Sequence, residues 1–215
     1  MHHLLGCPAG NRRVLTRFRP RCAKGDVKEE DAPSGMSMSL HSHSFVYMRR
    51  WSEVFIETGT HVGGGVLGAV MAGFKEIYTC ELDPVLLSRA RDNMGTQFGR
   101  AHYYAGSSSV CLPKMLKDAG VGKFSILLDA HATQGTDPSE CPLRRELEIL
   151  RAADRHDHLI AVDDYDLAGT DHLGGMTASE LLSALKDINS GYYFERLNGV
   201  REKMLLVAVP PGFPF

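Results

Sequence analysis

From Glu53 onward the chain alternates short apolar runs of strand length with stretches of helical period, and that alternation leaves few ways to fold. Short apolar runs bounded by turn residues read as buried strands, and apolar positions at i, i+3, i+4 and i+7 read as helices. Strands are expected at 53–58 (EVFIET), 75–80 (KEIYTC), 101–105 (AHYYA), 124–129 (FSILLD), 158–163 (HLIAVD), 191–197 (GYYFERL) and 203–209 (KMLLVAV). Helices are expected near 63–73, 83–98, 109–119, 142–153 and 177–187. In the fourth of these, Leu143, Leu147 and Leu150 repeat at i, i+4 and i+7, and Pro142 takes a first helical position that needs no N–H. Repeated strand–helix units imply an α/β fold: a doubly wound, mostly parallel sheet with helices on both faces. The last two runs look like a closing pair of strands.

Residues 1–50 lack this rhythm. Residues 6–35 carry glycine, proline and charge without a period, and a polar run from Ser37 to Ser44 follows. The expected division is a tail or arm over 1–50 and one domain over 51–215. A mobile tail and an arm that covers a ligand or partner both fit, and Met36 and Met38 offer alternative starts. Residues 1–25 hold six basic side chains and no acid, which leaves 18 basic against 26 acidic residues in the rest. An acidic body is a poor design for coating nucleic acid. The five cysteines are scattered with no CxxC pair, which fits a reducing compartment and no zinc ribbon. No window is long and apolar enough for a membrane span, and the start lacks a secretory apolar stretch. The expected location is the cytoplasm.

In such a sheet, ligands bind beyond the carboxyl ends of the strands, near the switch in strand order. Each expected strand end carries suitable chemistry. The first reads Glu57-Thr58-Gly59-Thr60-His61-Val62-Gly63, a glycine-rich turn that lets backbone approach a ligand, though such glycines also serve packing. The second ends in Glu81, about 20 residues on, where an acid accepts ribose hydroxyls, with Leu82 beside it. Asp83-Pro84 reads as a helix cap and first helical residue. The third ends in Gly106-Ser107-Ser108-Ser109, small polar groups able to edge an adenine ring or to cap the next helix. The fourth and fifth end in Asp129-Ala130-His131 and Asp163-Asp164. Three carboxylates at adjacent strand ends repel one another unless a cation collects them, and hard oxygens suit Mg²⁺. Capping of the following turns is the plainer reading of one or two of them.

Together these residues resemble a class I S-adenosylmethionine-dependent methyltransferase over roughly residues 50–209. The chain departs from the common acid-x-Gly-x-Gly-x-Gly form, with His61 at the middle glycine, and has Ser107 where an acid is frequent. Leu128-Asp129-Ala130-His131, Cys141-Pro142-Leu143 and Asp163-Asp164 are similar to small metal-dependent O-methyltransferases of the catechol and macrocin-sugar type. The resemblance implies a Rossmann-like, seven-stranded sheet with an antiparallel C-terminal strand. It implies that Glu57, Gly59, Thr60 and Gly63 surround the methionine part of S-adenosyl-L-methionine, Glu81 and Leu82 the ribose, and Ser107 and Ser108 the adenine, with Asp129 bordering the cofactor. It implies that Asp129, Asp163 and Asp164 hold a divalent cation, Mg²⁺ by expectation, which lowers a substrate hydroxyl pKa. Catechol-type enzymes carry a lysine just after the strand-four acid, and none stands here. His131 then reads as base, wall residue or metal ligand, in that order.

The same residues bear on other functional classes. Gly63-Gly64-Gly65-Val66-Leu67-Gly68 spells GxGxxG, the mark of an NAD(P)-dependent oxidoreductase, but it starts several residues after the strand end. A non-catalytic S-adenosylmethionine-binding subunit would have no need of the gathered acids. The loops 132–140 and 165–176, with Tyr165, Asp166 and His172, overhang the cleft and are the expected substrate-selecting elements. No recognition domain fits in the remaining length, so the expected acceptor is a small sugar, polyol or phenol. Nucleic acid and membrane are not expected partners, and a homo-oligomer is.

Overall fold

The structure, a computed structural model, describes residues 40–95, 100–131 and 140–214. Seven strands and six helices follow in order: α1 (Ser42–Arg49), β1 (Val54–Thr58), α2 (Gly64–Met71), β2 (Glu76–Glu81), α3 (Pro84–Met94), β3 (Ala101–Ala105), α4 (Ser108–Asp118), β4 (Ser125–Leu128), α5 (Leu143–Ala152), β5 (Leu159–Val162), α6 (Ala178–Ile188), β6 (Tyr193–Leu197) and β7 (Leu205–Val209). Every expected strand and helix after residue 50 is present, displaced by one or two residues at most ends. Helix α3 ends at Met94 with Gly95 as its C-cap, and residues 96–98 of the expected helix lie outside the described residues.

The sheet order is β3-β2-β1-β4-β5-β7-β6. The first five strands run parallel, and β7 lies antiparallel between β5 and β6. Strand order reverses between β1 and β4, so the crevice expected for a ligand opens there. The period-2 alternation of strand side chains sorts the core into two layers. Ile56, Tyr78, Ile126 and Ile160 face α4, α5 and α6. Phe55, Ile77, Leu127 and Ala161 face the other side, with Val66 and Leu67 of α2 and Phe45 and Met48 of α1.

Local chemistry sets the helix starts. Asp83 accepts the Val85 N–H at 2.7 Å with Pro84 at the first helical position, as expected. Thr177 and Glu180 form a reciprocal capping box at α6.

Residues 40–50, given to the tail by the sequence pattern, are packed into the body. Phe45 and Met48 are fully buried, Leu40 bridges to Gly199, and Ser44 Oγ donates to the Asn198 carbonyl at 2.9 Å. A Cβ on Gly68 would stand 2.3 Å from the Phe45 ring, so that glycine admits α1 against α2. The rest of the expected tail, 1–39, and loop residues 132–139 lie outside the described residues. Among the described residues, no helix is long and apolar enough to cross a membrane.

Candidate active site

The turn after β1 is folded tightly against its neighbours. The N–H groups of Gly59 and Thr60 both donate to the Cys80 carbonyl, at 3.0 and 2.9 Å. Gly59 has φ +86°, and a Cβ there would lie 2.5 Å from the Asp129 carbonyl oxygen. Glycine is therefore required twice, for its left-handed backbone and for the approach to β4. His61, at the middle glycine of the family motif, also adopts positive φ, +49°. Its N–H donates to Glu81 Oε2 at 2.8 Å, while Glu81 Oε1 accepts the Asp83 N–H at 2.9 Å. Glu81 thus ties the turn to the end of β2, and a carboxylate with about four lone-pair sites keeps capacity for two more donors. Leu82, beside it, is 72% exposed.

Glu57 is buried beneath the first turn of α2. Its Oε2 accepts from Thr79 Oγ1 at 2.7 Å, and Thr79 Oγ1 is 2.6 Å from Thr60 Oγ1. A Cβ on Gly65 would fall 1.6 Å from Glu57 Oε1, so the second residue of α2 must be glycine for this acid to fit. Burial holds its carboxyl well above the usual range, and the charge of Asp129 adds to the shift. Thr60 turns its hydroxyl inward along this chain, and Gly63 takes the N-cap position of α2. The GxGxxG string runs from that cap into the body of the helix. No phosphate-binding turn starts at the strand end, which removes the sequence basis for the oxidoreductase reading.

At the end of β3, Ser107 holds the N-cap position of α4 without a side-chain cap bond. Its hydroxyl lies 2.7 Å from Ser109 Oγ. Ser108 Oγ is buried with no hydrogen-bond partner.

Across the switch point, the ladder continues past the strand ends. Asp129 N donates to the Thr58 carbonyl at 3.2 Å and Asp163 N to the Leu128 carbonyl at 3.0 Å, so the three ends stand side by side. There the structure gathers Asp129, His131, Asp163 and Asp164, as expected, and adds His172. His131 Nε2 is 3.0 Å from Asp129 Oδ1 and 3.4 Å from Asp164 Oδ2. His172 Nε2 is 2.6 Å from Asp164 Oδ2. Asp164 has φ +53°, and its other oxygen is held by Arg201 from the β6–β7 turn. Arg201 also grips Asp166, with Nε 2.7 Å and Nη2 3.0 Å from the two carboxylate oxygens. Asp163 Oδ1 is buried with no hydrogen-bond partner, and His131 Nε2 lies between the Asp129 and Asp164 carboxylates. Burial, with mutual repulsion, pushes the Asp163 carboxyl up to about 8, and burial does the same for Asp129.

Glu146 escaped the sequence reading. It sits on α5, fully buried, against Ser108, Thr58 and His131. Burial raises its carboxyl to about 7, while the Ser108 and Thr58 hydroxyls facing it pull the other way. The available signal was an acid three residues after Leu143, inside the apolar stripe. The sequence places His172 only in the expected substrate-selecting loop 165–176. Tyr165 stacks under Arg196, 4.9 Å from the guanidinium.

The residues fit a nucleoside-bearing cofactor on the β1–β3 side and a cation on the β4–β5 side. The first fit rests on the closely packed glycine turn and its two acids. The second rests on the buried, unpartnered Asp163 Oδ1 and on the close gathering of Asp129, His131 and Asp163, whose carboxyls burial disfavours as bare charges.

No family model and no curated protein matches the chain. Solved structures do. The O-methyltransferase TomG from Streptomyces achromogenes, involved in tomaymycin synthesis and in complex with SAM, is 17% identical, with 79% of each chain covered and a TM-score of 0.55. An O-methyltransferase from Bacillus cereus in complex with SAH is 14% identical over 84% of this chain and 85% of that one, TM-score 0.52. The SAH-bound methyltransferase PaMTH1 from Podospora anserina is 14% identical over 79% and 77%, TM-score 0.51. The chain has the fold of the class I S-adenosylmethionine-dependent methyltransferases, as its motifs had implied.

Proposed function

We propose that this protein is an S-adenosylmethionine-dependent O-methyltransferase that acts, with a divalent cation, on a small hydroxylated molecule such as a sugar, polyol or phenol. One observation carries the reading: a packed glycine turn flanked by Glu57 and Glu81 shares one sheet edge with a crowded set of Asp129, His131, Asp163 and Asp164. The structural relatives bound to SAM or SAH support the cofactor half.

When bound, S-adenosylmethionine supplies the methyl group, and a cation supplies the charge that lowers the acceptor's pKa. Glu81 orients the ribose while keeping the turn closed through His61. Gly59 keeps the methionine part within reach of Asp129. Asp163 and Asp164 present oxygens to the cation. The Asp129–His131 pair, 3.0 Å apart, receives the hydroxyl proton. The loop 165–176 forms one wall, where the two 3₁₀ turns Tyr165–Leu167 and Asp171–Leu173 set Asp166 and His172 in place. The acidic body favours a small acceptor over nucleic acid.

Calorimetry with S-adenosylhomocysteine tests the cofactor, and labelled-methyl transfer to a panel of hydroxylated acceptors, with cation and with chelator, tests the reaction. Absence of S-adenosylhomocysteine binding overturns the reading. Undiminished transfer in chelator overturns the cation's part.

A further inference from the structure

The sequence alone suggests an all-carboxylate site of Mg²⁺ type. The side chains do not build one. Two groups of potential ligands converge at the ends of β4 and β5: His131, Asp164 and His172, and Asp129, His131 and Asp163, each with its donor atoms within 4.8 Å of one another. His131 belongs to both. The imidazoles of His131 and His172 lie 4.5 Å apart, centroid to centroid, and both direct Nε2 at the same carboxylate oxygen, Asp164 Oδ2. Arg201 takes the other oxygen, so Asp164 offers one oxygen and not a chelating pair. Asp163 Oδ1 is buried without a hydrogen-bond partner, and Asp163 offers an oxygen within 4.8 Å of a ligand nitrogen of His131.

We infer that this is a mixed nitrogen–oxygen site that selects a first-row transition ion over Mg²⁺, with His172 and His131 as nitrogen ligands and Asp164 as the shared carboxylate. Mg²⁺ demands oxygen donors and gives up its waters reluctantly, whereas imidazole suits the borderline ions, with affinity rising from Mn²⁺ through Co²⁺ to Ni²⁺. Arg201 acts as a positioning residue in this scheme. It neutralises the second Asp164 oxygen and the neighbouring Asp166, which fixes Asp164 Oδ2 between the two rings. With His131 Nε2 given to the ion, the proton acceptor of the Asp129–His131 pair is Asp129. The inference rests on the proposed function only for the purpose of the ion. The site itself is argued from the side chains.

The test is calorimetric titration of the full chain with Mg²⁺, Mn²⁺ and Co²⁺, together with the visible absorption of the Co²⁺ form. Co²⁺ is expected to bind more tightly than Mn²⁺ and Mn²⁺ more tightly than Mg²⁺. Substitution His172→Gln is expected to weaken Co²⁺ binding by roughly 10–100-fold, the usual cost of disturbing a metal site, to change the Co²⁺ spectrum, and to leave Mg²⁺ affinity where it was. Arg201→Met is expected to weaken Co²⁺ binding, and Arg201→Lys to restore part of it. Equal affinity for Mg²⁺ and Co²⁺, or a Co²⁺ spectrum indifferent to His172→Gln in a variant that melts like the parent, overturns the inference. Binding of S-adenosylhomocysteine is followed in the same samples: its absence defeats the proposed cofactor while leaving the ion assignment standing, and the reverse holds.

Discussion

Replacing Gly59 with alanine separates two demands that one position meets at once. Gly59 has φ +86°, and its Cβ would stand 2.5 Å from the Asp129 carbonyl oxygen, 2.9 Å from its carbon and 3.2 Å from the Ala130 nitrogen. All three are backbone atoms of the β4 end and cannot swing aside. Ordinary contact begins near 3.4 Å, so that backbone must retreat by almost an ångström. Gly73 is the control, with φ +82° and nothing within 4 Å of its Cβ. Gly73→Ala therefore carries only the cost of a left-handed alanine, about 1–2 kcal/mol. Gly59→Ala carries the same cost plus about 1–3 kcal/mol for overpacking. The expected gap is about 2 kcal/mol, or roughly 4–8 °C in melting temperature for a chain of this size. Because the displaced backbone of Asp129 and Ala130 leads directly into His131, Gly59→Ala is also expected to weaken Co²⁺ binding, while Gly73→Ala leaves it intact. Thermal unfolding and Co²⁺ titration of both variants decide the matter. Equal melting temperatures, or unchanged cation affinity in Gly59→Ala, would refute the close approach between the glycine turn and β4.

Three further outcomes follow from the same packing. Asp129 and Asp163 have carboxyls raised from 3.8 to about 8 and Glu146 from 4.5 to about 7. The folded state then binds more protons than the unfolded one between about pH 4 and 8, so the metal-free protein loses stability as pH rises through that window. Melting curves at pH 5.5 and 8 are expected to show the loss, with Co²⁺ reversing much of it at pH 8. Glu146→Gln keeps the shape and removes the charge; it is expected to stabilise the metal-free protein by roughly 2–3 kcal/mol at pH 8 and hardly at all at pH 4, read by urea unfolding. Thr177→Ala removes half of the α6 capping box and is expected to cost about 1 kcal/mol in the same assay, with no change in S-adenosylhomocysteine binding.

The α/β repeat was legible because β1 to β7 each carry their own period, and Asp83-Pro84 or Leu143-Leu147-Leu150 mark helices with local chemistry. Asp129, Asp163 and Asp164 were legible for a related reason: Asp129 and Asp163 are each the first polar residue after an apolar run, Asp164 follows Asp163, and the sheet order places the run ends together. What escaped depends on contacts between distant parts of the chain. Helix α1 has only Phe45 and Met48 as buried apolar anchors within a polar stretch, and its burial comes from Gly68, which no local pattern announces. Glu146 was masked by the apolar stripe around it. His172 reaches the site through two 3₁₀ turns with Gly174 in the left-handed region between them and α6, a path that spacing does not encode. Arg201 arrives from a hairpin on the far side of β5. Positions fixed by periodicity were readable, and positions fixed by loop geometry were not.

The clasp of Arg201 on Asp164 also bears on the order in which the protein is made. Strands β1 to β4 and their helices, with Glu57, Gly59, Glu81, Asp129 and Glu146, leave the ribosome well before residue 201. β7 is inserted between β5 and β6 only after both have been synthesised. The β1–β3 end can therefore form on the nascent chain while Asp164 still lacks the Arg201 clasp, and the cluster at the ends of β4 and β5 is completed at the last hairpin. A polypeptide that ends before that hairpin would present the crowded acids without their guanidinium clasp.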